Sequence, residues 1–424
     1  MRIAVRAREL RGTITAPPSK SCSHRAVICA LLAGGTSVLT HLAQNADIRA
    51  TLAAANVLGA GCRPLGDSSW QLTGLTAAAG DRPVTIDCGE SGSTLRFFVP
   101  IAAALGVPAT FTGRGRLPGR PIAELLQPMC QNGAETNYAG TLPCTVTGRL
   151  QSGVYPIPGH VSSQFITGLL LALPLLEGDS EISLTSRLQS RPYIDLTLQI
   201  MAQFGVRAEA THRGWFVPGG QQYQPQEIQV EGDWSGAAFY LTAGAVGGSV
   251  TVAGLNCQSR QGDRAVADIL ARLGAQLRTG DGMVHSAQAP LHGTVIDGSH
   301  IPDIVPILAV AAAAASGTTT FTGVGRLRDK ESDRLYTTSA TLTALGADVA
   351  VGPDGDSLVV RGGRPLHGAT VSSFGDHRIA MTAAVAALLC GGQTVYIDGA
   401  ECIDKSYPNF FEHFTALGGV ADVL

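Results

Sequence analysis

The chain has 424 residues, 45% of them apolar and only 15% charged, with 52 glycines and a net charge of −3. That composition excludes a disordered chain, and it offers no basic balance for a nucleic acid or an acidic membrane. The longest apolar runs, 166–176 and 304–315, are too short to span a bilayer and read as buried helices.

Residues 1–10 carry three arginines and no apolar signal core, so a cytoplasmic location is expected. The nine cysteines are scattered, with no C-x-x-C pair and no zinc-like His/Cys spacing. They read as reduced thiols, and no metal or cofactor is expected. Any anion site in so neutral a chain has to be a local cluster.

The first such cluster is Pro17-Pro18-Ser19-Lys20-Ser21-Cys22-Ser23-His24-Arg25, which runs into an apolar helix. Two prolines fix the entry and a serine caps it. A helix start attracts anions, because its N–H groups are unpaired and its dipole end is positive. Lys20 and Arg25 add full charges. Taken alone, the stretch is equally an ordinary capped helix with two solvated cations.

The rest of the chain repeats this unit. A glycine follows an apolar helix at Gly35, Gly106, Gly178, Gly248, Gly317 and Gly392. A second glycine closes an amphipathic helix at Gly59, Gly133, Gly205, Gly274, Gly346 and Gly418. Both series recur about every seventy residues, which marks an internal repeat. Each copy reads as an apolar helix, a β-branched strand, an amphipathic helix and a hairpin with a turn such as Asp281-Gly282 or Asp354-Gly355. The sixth copy stops before its hairpin. Two short strands at the N-terminus are expected to supply it as a hairpin. The spacing predicts an α/β (α+β) chain of six repeats in two lobes, 18–231 and 1–17 plus 232–424.

The six apolar helices start at Lys20–Arg25, Glu90–Arg96, Ser162-Ser163-Gln164, Asp233-Trp234-Ser235, His300-Ile301-Pro302-Asp303 and Gly375-Asp376-His377-Arg378. All six read as caps. Caps do not need Lys20, Arg25, Arg96, Gln164, His377 or Arg378. Superposed repeats would bring the starts of each lobe to one face, and two facing lobes would enclose a cleft suited to a phosphorylated ligand. Further cations follow the short strands: Arg114, Arg116 and Arg120; Arg326, Arg328, Lys330 and Arg334 with interleaved acids; and Lys405. Mixed charge of this kind is commonly a solvated face. The repeat register places these runs at helix starts facing the same cleft.

Assembled, these residues resemble the enolpyruvyl transferases, and among them those acting on shikimate 3-phosphate. The resemblance spans essentially the whole chain. Its marks are Ser19-Lys20-Ser21-x-Ser23-x-Arg25, Ser91-Gly92-Ser93-Thr94-x-Arg96, Arg120-Pro121-Ile122, Ser162-Ser163-Gln164, Ile301-Pro302-Asp303, Lys330-Glu331-Ser332-Asp333-Arg334, Asp376-His377-Arg378 and Lys405-Ser406-Tyr407-Pro408. It implies a two-lobed inside-out α/β barrel of six βαβαββ repeats, three per lobe. It also implies transfer of the enolpyruvyl group of phosphoenolpyruvate to the 5-hydroxyl of shikimate 3-phosphate, with release of phosphate.

By resemblance, Lys20, Ser21, Arg25, Ser162, Ser163, Gln164, Ser190, Tyr193, Asp303 and Lys330 would hold shikimate 3-phosphate. Lys20, Gly92, Arg120, Gln164, Arg334, His377, Arg378 and Lys405 would hold phosphoenolpyruvate. Asp303 would be the base and Glu331 the carbon acid, with Lys20 moving a proton or stabilising charge. Glu90 and Arg326 stand where some members carry Asn. The expected partners are two small molecules, without nucleic acid or membrane, and a monomer is expected. The rivals are UDP-N-acetylglucosamine enolpyruvyl transferase and a non-catalytic anion-binding scaffold. The first carries a cysteine in the loop equivalent to 113–120, which this chain lacks. The second would have lost Lys20, Asp303 or Glu331.

Overall fold

The computed structural model describes residues 1–75 and 82–424. The chain divides into two compact units, Pro18–Val230 and Met1–Pro17 with Glu231–Leu424. Among the described residues, each holds three four-stranded sheets and its own apolar core. The α-helices in chain order are α1 (Lys20–Leu32), α2 (Ala46–Val57), α3 (Gly92–Leu105), α4 (Ala123–Gln131), α5 (Ser163–Ala172), α6 (Arg191–Gln203), α7 (Trp234–Gly247), α8 (Ala265–Leu273), α9 (Val305–Ala314), α10 (Arg334–Ala344), α11 (His377–Ala386) and α12 (Phe410–Ala416). None is long and apolar enough to cross a membrane, among the described residues.

Beyond their polar starts, the odd-numbered helices are largely apolar on every side, and such helices belong in a core. Every residue of α7 and α11 is buried, and both pack against α9. Each fully buried Leu, Ile, Val or Phe contributes about 1.5–3 kcal/mol. The even-numbered helices bury one face only. One repeat shows the sheet pattern. Val84–Asp87 pairs in parallel with Ala109–Thr112 through the α3 crossover, and Ala109–Thr112 pairs antiparallel with Cys144–Gly148. The other edge of Cys144–Gly148 takes Ala134–Asn137, which follows α4.

The glycines closing the even-numbered helices have a common cause. Gly59, Gly133, Gly205, Gly274, Gly346 and Gly418 all sit in the left-handed region, with φ from +82° to +109°. Only glycine enters that region without steric cost, so it ends the helix there. The Asp281-Gly282 turn has φ of +51° and +70°, the type I′ hairpin read from the sequence.

Two expectations are corrected. The N-terminal strands do not form a hairpin for the sixth repeat. Arg2–Arg6 lies between Val395–Asp398 and Val420–Val423 in the sixth sheet, while Leu10–Thr15 pairs in parallel with Gly248–Ala253 in the fourth. The fourth repeat has no leading strand of its own, because the chain enters α7 directly from the unit boundary. Leu10–Thr15 covers the edge that would otherwise stand open. Glu227–Gln229 likewise leads the first sheet beside Thr36–Thr40. The other correction concerns caps. Side chains cap five of the six apolar helices, but α9 starts after Ile304 with no side-chain cap, and Asp303 is used elsewhere.

One close approach sets the site. Gly168 of α5 lies against α3, where an added Cβ would come within 2.2 Å of the Arg96 carbonyl. This lets Gln164, one turn earlier, reach the start of α3.

Gly274→Ala forces a side chain into φ +109° and places Cβ 2.7 Å from the Pro290 carbonyl. It should lower the urea midpoint by the equivalent of about 1–3 kcal/mol. Gly119→Ala meets nothing within 4 Å and should stay within about 0.5 kcal/mol of wild type. Equal midpoints for the two variants would contradict the left-handed cap.

Candidate active site

In the unit Pro18–Val230, Ser19, Ser91 and Ser162 accept hydrogen bonds from the backbone N–H of Cys22, Thr94 and Gln164. One cap leaves other first-turn N–H groups without an intrahelical acceptor, so each start keeps a positive end. From α1, Lys20 Nζ donates to Asp47 Oδ2 at 2.9 Å, with both side chains largely buried. Arg25 is held from several sides. Its Nε donates to Thr197 Oγ1 at 2.8 Å, Nη1 to the Ser21 carbonyl at 2.7 Å and Nη2 to the Tyr193 carbonyl at 3.0 Å. The guanidinium lies 5.3 Å from the centre of the Phe97 ring. Burial pushes its pKa down to about 10, so it stays charged at neutral pH. Ser21, Arg25 and Tyr193 are thereby brought together. Ser190 precedes α6 with φ +54° and makes no side-chain cap.

The second cluster in this unit joins α3 and α5. Gln164 Oε1 accepts from Arg96 Nη1 at 2.7 Å, and its Nε2 donates to Ser93 Oγ at 2.9 Å. A Cβ at Gly92 would lie 2.8 Å from Arg120 Nη1 and 3.0 Å from Arg96 Nη1. The bare backbone at position 92 thus lets two guanidiniums converge on one helix start, an arrangement that favours an anion. Ser163 is buried in the first turn of α5.

In the other unit the centre is Arg334, only 1% exposed. Its Nε donates to Asp376 Oδ2 at 2.8 Å, Nη1 to Asp303 Oδ1 at 2.8 Å and Nη2 to Glu331 Oε2 at 2.7 Å. Burial alone would lower its pKa, but Asp376, Glu331 and Asp303 overcome this and raise it. Asp376 also caps α11 by accepting from the Arg378 N–H at 2.9 Å, and it accepts from Ser332 Oγ. Arg378 Nη2 lies 3.5 Å from Asp303 Oδ2. Burial would raise the Asp303 carboxyl, yet Arg378, Arg334 and Lys330 hold it well below the usual carboxylate range. Burial pushes Lys330 down to about 7; Asp303 opposes this and Arg326 reinforces it.

Asp303, Glu331, Arg334 and Arg378 therefore form one cluster, with Lys330 in its field. Lys405 Nζ donates to the Gly375 carbonyl at 2.8 Å, beside the start of α11. His377 is buried, with its ring 3.8 Å from Asp376, beyond hydrogen-bond distance. Arg326 reaches the Ser299 carbonyl at 3.4 Å.

Sequence reasoning left out Asp47, Arg96 and Asp376 as members of the site. Asp376 and Arg96 stood at helix starts and in the motifs that carry the resemblance, but without an assigned role. Asp47 had a signal in the repeat register, since it occupies the second-helix start that holds Arg120, Lys330 and Lys405 in other repeats.

The EPSP synthase (3-phosphoshikimate 1-carboxyvinyltransferase) family model matches residues 5–414. A Clostridium kluyveri protein named 3-phosphoshikimate 1-carboxyvinyltransferase is 41% identical over 422 residues, covering 99% of this chain and 98% of its own. One of the same name from Clostridium beijerinckii is 42% identical, covering 98% and 97%. An EPSP synthase structure from Acinetobacter baumannii superposes with a TM-score of 0.82 at 26% identity, over the full length of both chains. The Streptomyces tendae enolpyruvyl transferase NikO shares the fold at 19% identity and a TM-score of 0.78, covering 99% of this chain and 98% of its own. With six βαβαββ repeats and charged helix starts along its whole length, the chain belongs to the EPSP synthase family.

Proposed function

We propose that this protein transfers the enolpyruvyl group of phosphoenolpyruvate to the 5-hydroxyl of shikimate 3-phosphate and releases phosphate, by addition and then elimination. The observation that carries the chemistry is the convergence of Asp303 and Glu331 on one buried guanidinium beside Arg378. Family membership supports the substrate pair. Shikimate 3-phosphate is assigned to Lys20, Ser21, Arg25, Ser162, Ser163, Gln164, Ser190, Tyr193, Asp303 and Lys330. Phosphoenolpyruvate is assigned to Lys20, Gly92, Arg120, Gln164, Arg334, His377, Arg378 and Lys405.

Addition needs a base for the hydroxyl and an acid for the methylene carbon, and these roles fall to Asp303 and Glu331. As placed, Asp303 is a weak base, because two guanidiniums stabilise its charge. The anionic groups of phosphoenolpyruvate compete for those same guanidiniums. Each hydrogen bond they draw away raises the basicity of Asp303 as the hydroxyl arrives. Fixed guanidiniums and helix starts then stabilise the charge that develops.

The direct test is phosphate release from phosphoenolpyruvate. Phosphate should appear only when shikimate 3-phosphate is also present. Release with UDP-N-acetylglucosamine in its place would move the protein to the sister activity.

Asp303→Asn and Lys20→Ala, assayed well below their own melting transitions, should lose about 10²–10⁴ in turnover; full turnover in either variant would remove its assignment. Gly92→Ala should act through Arg120, whose guanidinium the new methyl displaces. The KM for phosphoenolpyruvate rises while shikimate 3-phosphate affinity and Tm hold. Equal weakening of both substrates would show that the subsite is wrongly placed.

Lys330 carries its charge below about pH 7 and loses it above. The Kd for shikimate 3-phosphate should therefore rise about tenfold as pH rises through neutrality. Lys330→Arg, which stays charged, should flatten that rise in a calorimetric titration. An equally steep rise in the arginine variant would count against the role of Lys330.

A further inference from the structure

Asp263 takes no part in the assignments above. It lies in the Gly262–Arg264 turn before α8, at the second-helix start of the fourth repeat, and is 1% exposed. Ser235 Oγ donates a hydrogen bond to Asp263 Oδ2. Ser235 stands in the first turn of α7, where its N–H donates to the Asp233 cap at 2.9 Å. The Ser235 carbonyl accepts from Arg378 Nη1 at 3.3 Å, and Arg378 Nη2 lies 3.5 Å from Asp303 Oδ2. Arg378 Nε is buried and makes no hydrogen bond among the described residues. The head of Arg378 is thus held by long contacts, one of them to a residue that Asp263 anchors. Packing alone does not explain a carboxyl here, because an apolar side chain would avoid the burial penalty.

We infer that Asp263 is a positioning residue: by holding Ser235 it sets where Arg378 lies, and so how closely Arg378 pairs with Asp303. The inference rests on the assignment of phosphoenolpyruvate to Arg378. The groups facing Asp263 are Ser235, Asp233, Asp303 and Arg378. Burial, and then the charge of Asp303, push the Asp263 carboxyl upward, against Arg378 and the Ser235 hydrogen bond. Of the two carboxyls, Asp263 is the one whose surroundings favour the proton, and Asp303 the one whose surroundings favour the charge. In its neutral form Asp263 anchors Ser235 without competing for Arg378. Asparagine should therefore replace it and alanine should not.

Steady-state kinetics on Asp263→Ala, Ser235→Ala, the double variant and Asp263→Asn test this, with melting temperatures alongside. Asp263→Ala and Ser235→Ala should each raise the KM for phosphoenolpyruvate about tenfold and leave that for shikimate 3-phosphate within about twofold. The double variant should be no worse than the weaker single one, because both act through one chain of contacts. Asp263→Asn should restore the wild-type KM. In arginine-labelled protein without substrates, the Arg378 Nε–H resonance, assigned by its loss in Arg378→Lys, should shift in the alanine variants and hold in Asp263→Asn. An unchanged KM in a folded Asp263→Ala, additive losses in the double variant, or an unmoved resonance would each overturn the inference. The resonance needs no substrate. If the wild type releases no phosphate, the activity assignment fails while the role of Asp263 is still decided.

Discussion

A guanidinium removed from water is stable only where its charge is met, and Arg334 meets three carboxylates. Breaking a buried pair of this kind by removing one partner costs about 3–5 kcal/mol, because the other charge is left behind. The three partners differ in exposure. Asp376 is fully buried and also caps α11, so it ties the starts of α10 and α11 together. Asp303 and Glu331 are 24% and 18% exposed. Burial thus divides the cage into one fully buried carboxylate and two that water reaches, the two that the proposed mechanism has an arriving anion replace. Those two are the residues to which the chemistry assigns proton transfer.

The unit Pro18–Val230 applies the same physics differently. Arg25 is fixed by hydroxyl and carbonyl oxygens between α1 and α6, so its charge is solvated by dipoles rather than paired. At Gly92, Arg96 and Arg120 converge on the start of α3. The close α3–α5 approach at Gly168 brings Gln164 onto Arg96 there. A cationic cluster at a helix start with a bare backbone favours a small anion, the place proposed for phosphoenolpyruvate.

Much of this was legible because some positions admit few residue types. The glycines that end the amphipathic helices recur because no other residue enters the left-handed region freely, so the repeat and the α/β class could be read from their spacing. Cations at helix starts were legible because capping gives no reason for them. What stayed hidden depends on partners distant in sequence. Nothing local tells Leu10–Thr15 to join Gly248–Ala253 rather than fold back on Arg2–Arg6. An acid at a helix start reads as a cap whether or not it caps. Asp376 does cap, Asp303 does not, and Asp47 pairs with Lys20 instead.

In the proposed mechanism, substrate anions take Arg334 and Arg378 and leave Asp303 a stronger base. A carboxyl ¹³C NMR titration, with the Asp303 signal assigned by its loss in Asp303→Asn, measures this directly. Asp303 should titrate below the usual carboxylate range in the protein alone, and at higher pH once phosphoenolpyruvate is saturating. An Asp303 titration that is the same with and without phosphoenolpyruvate would contradict the account.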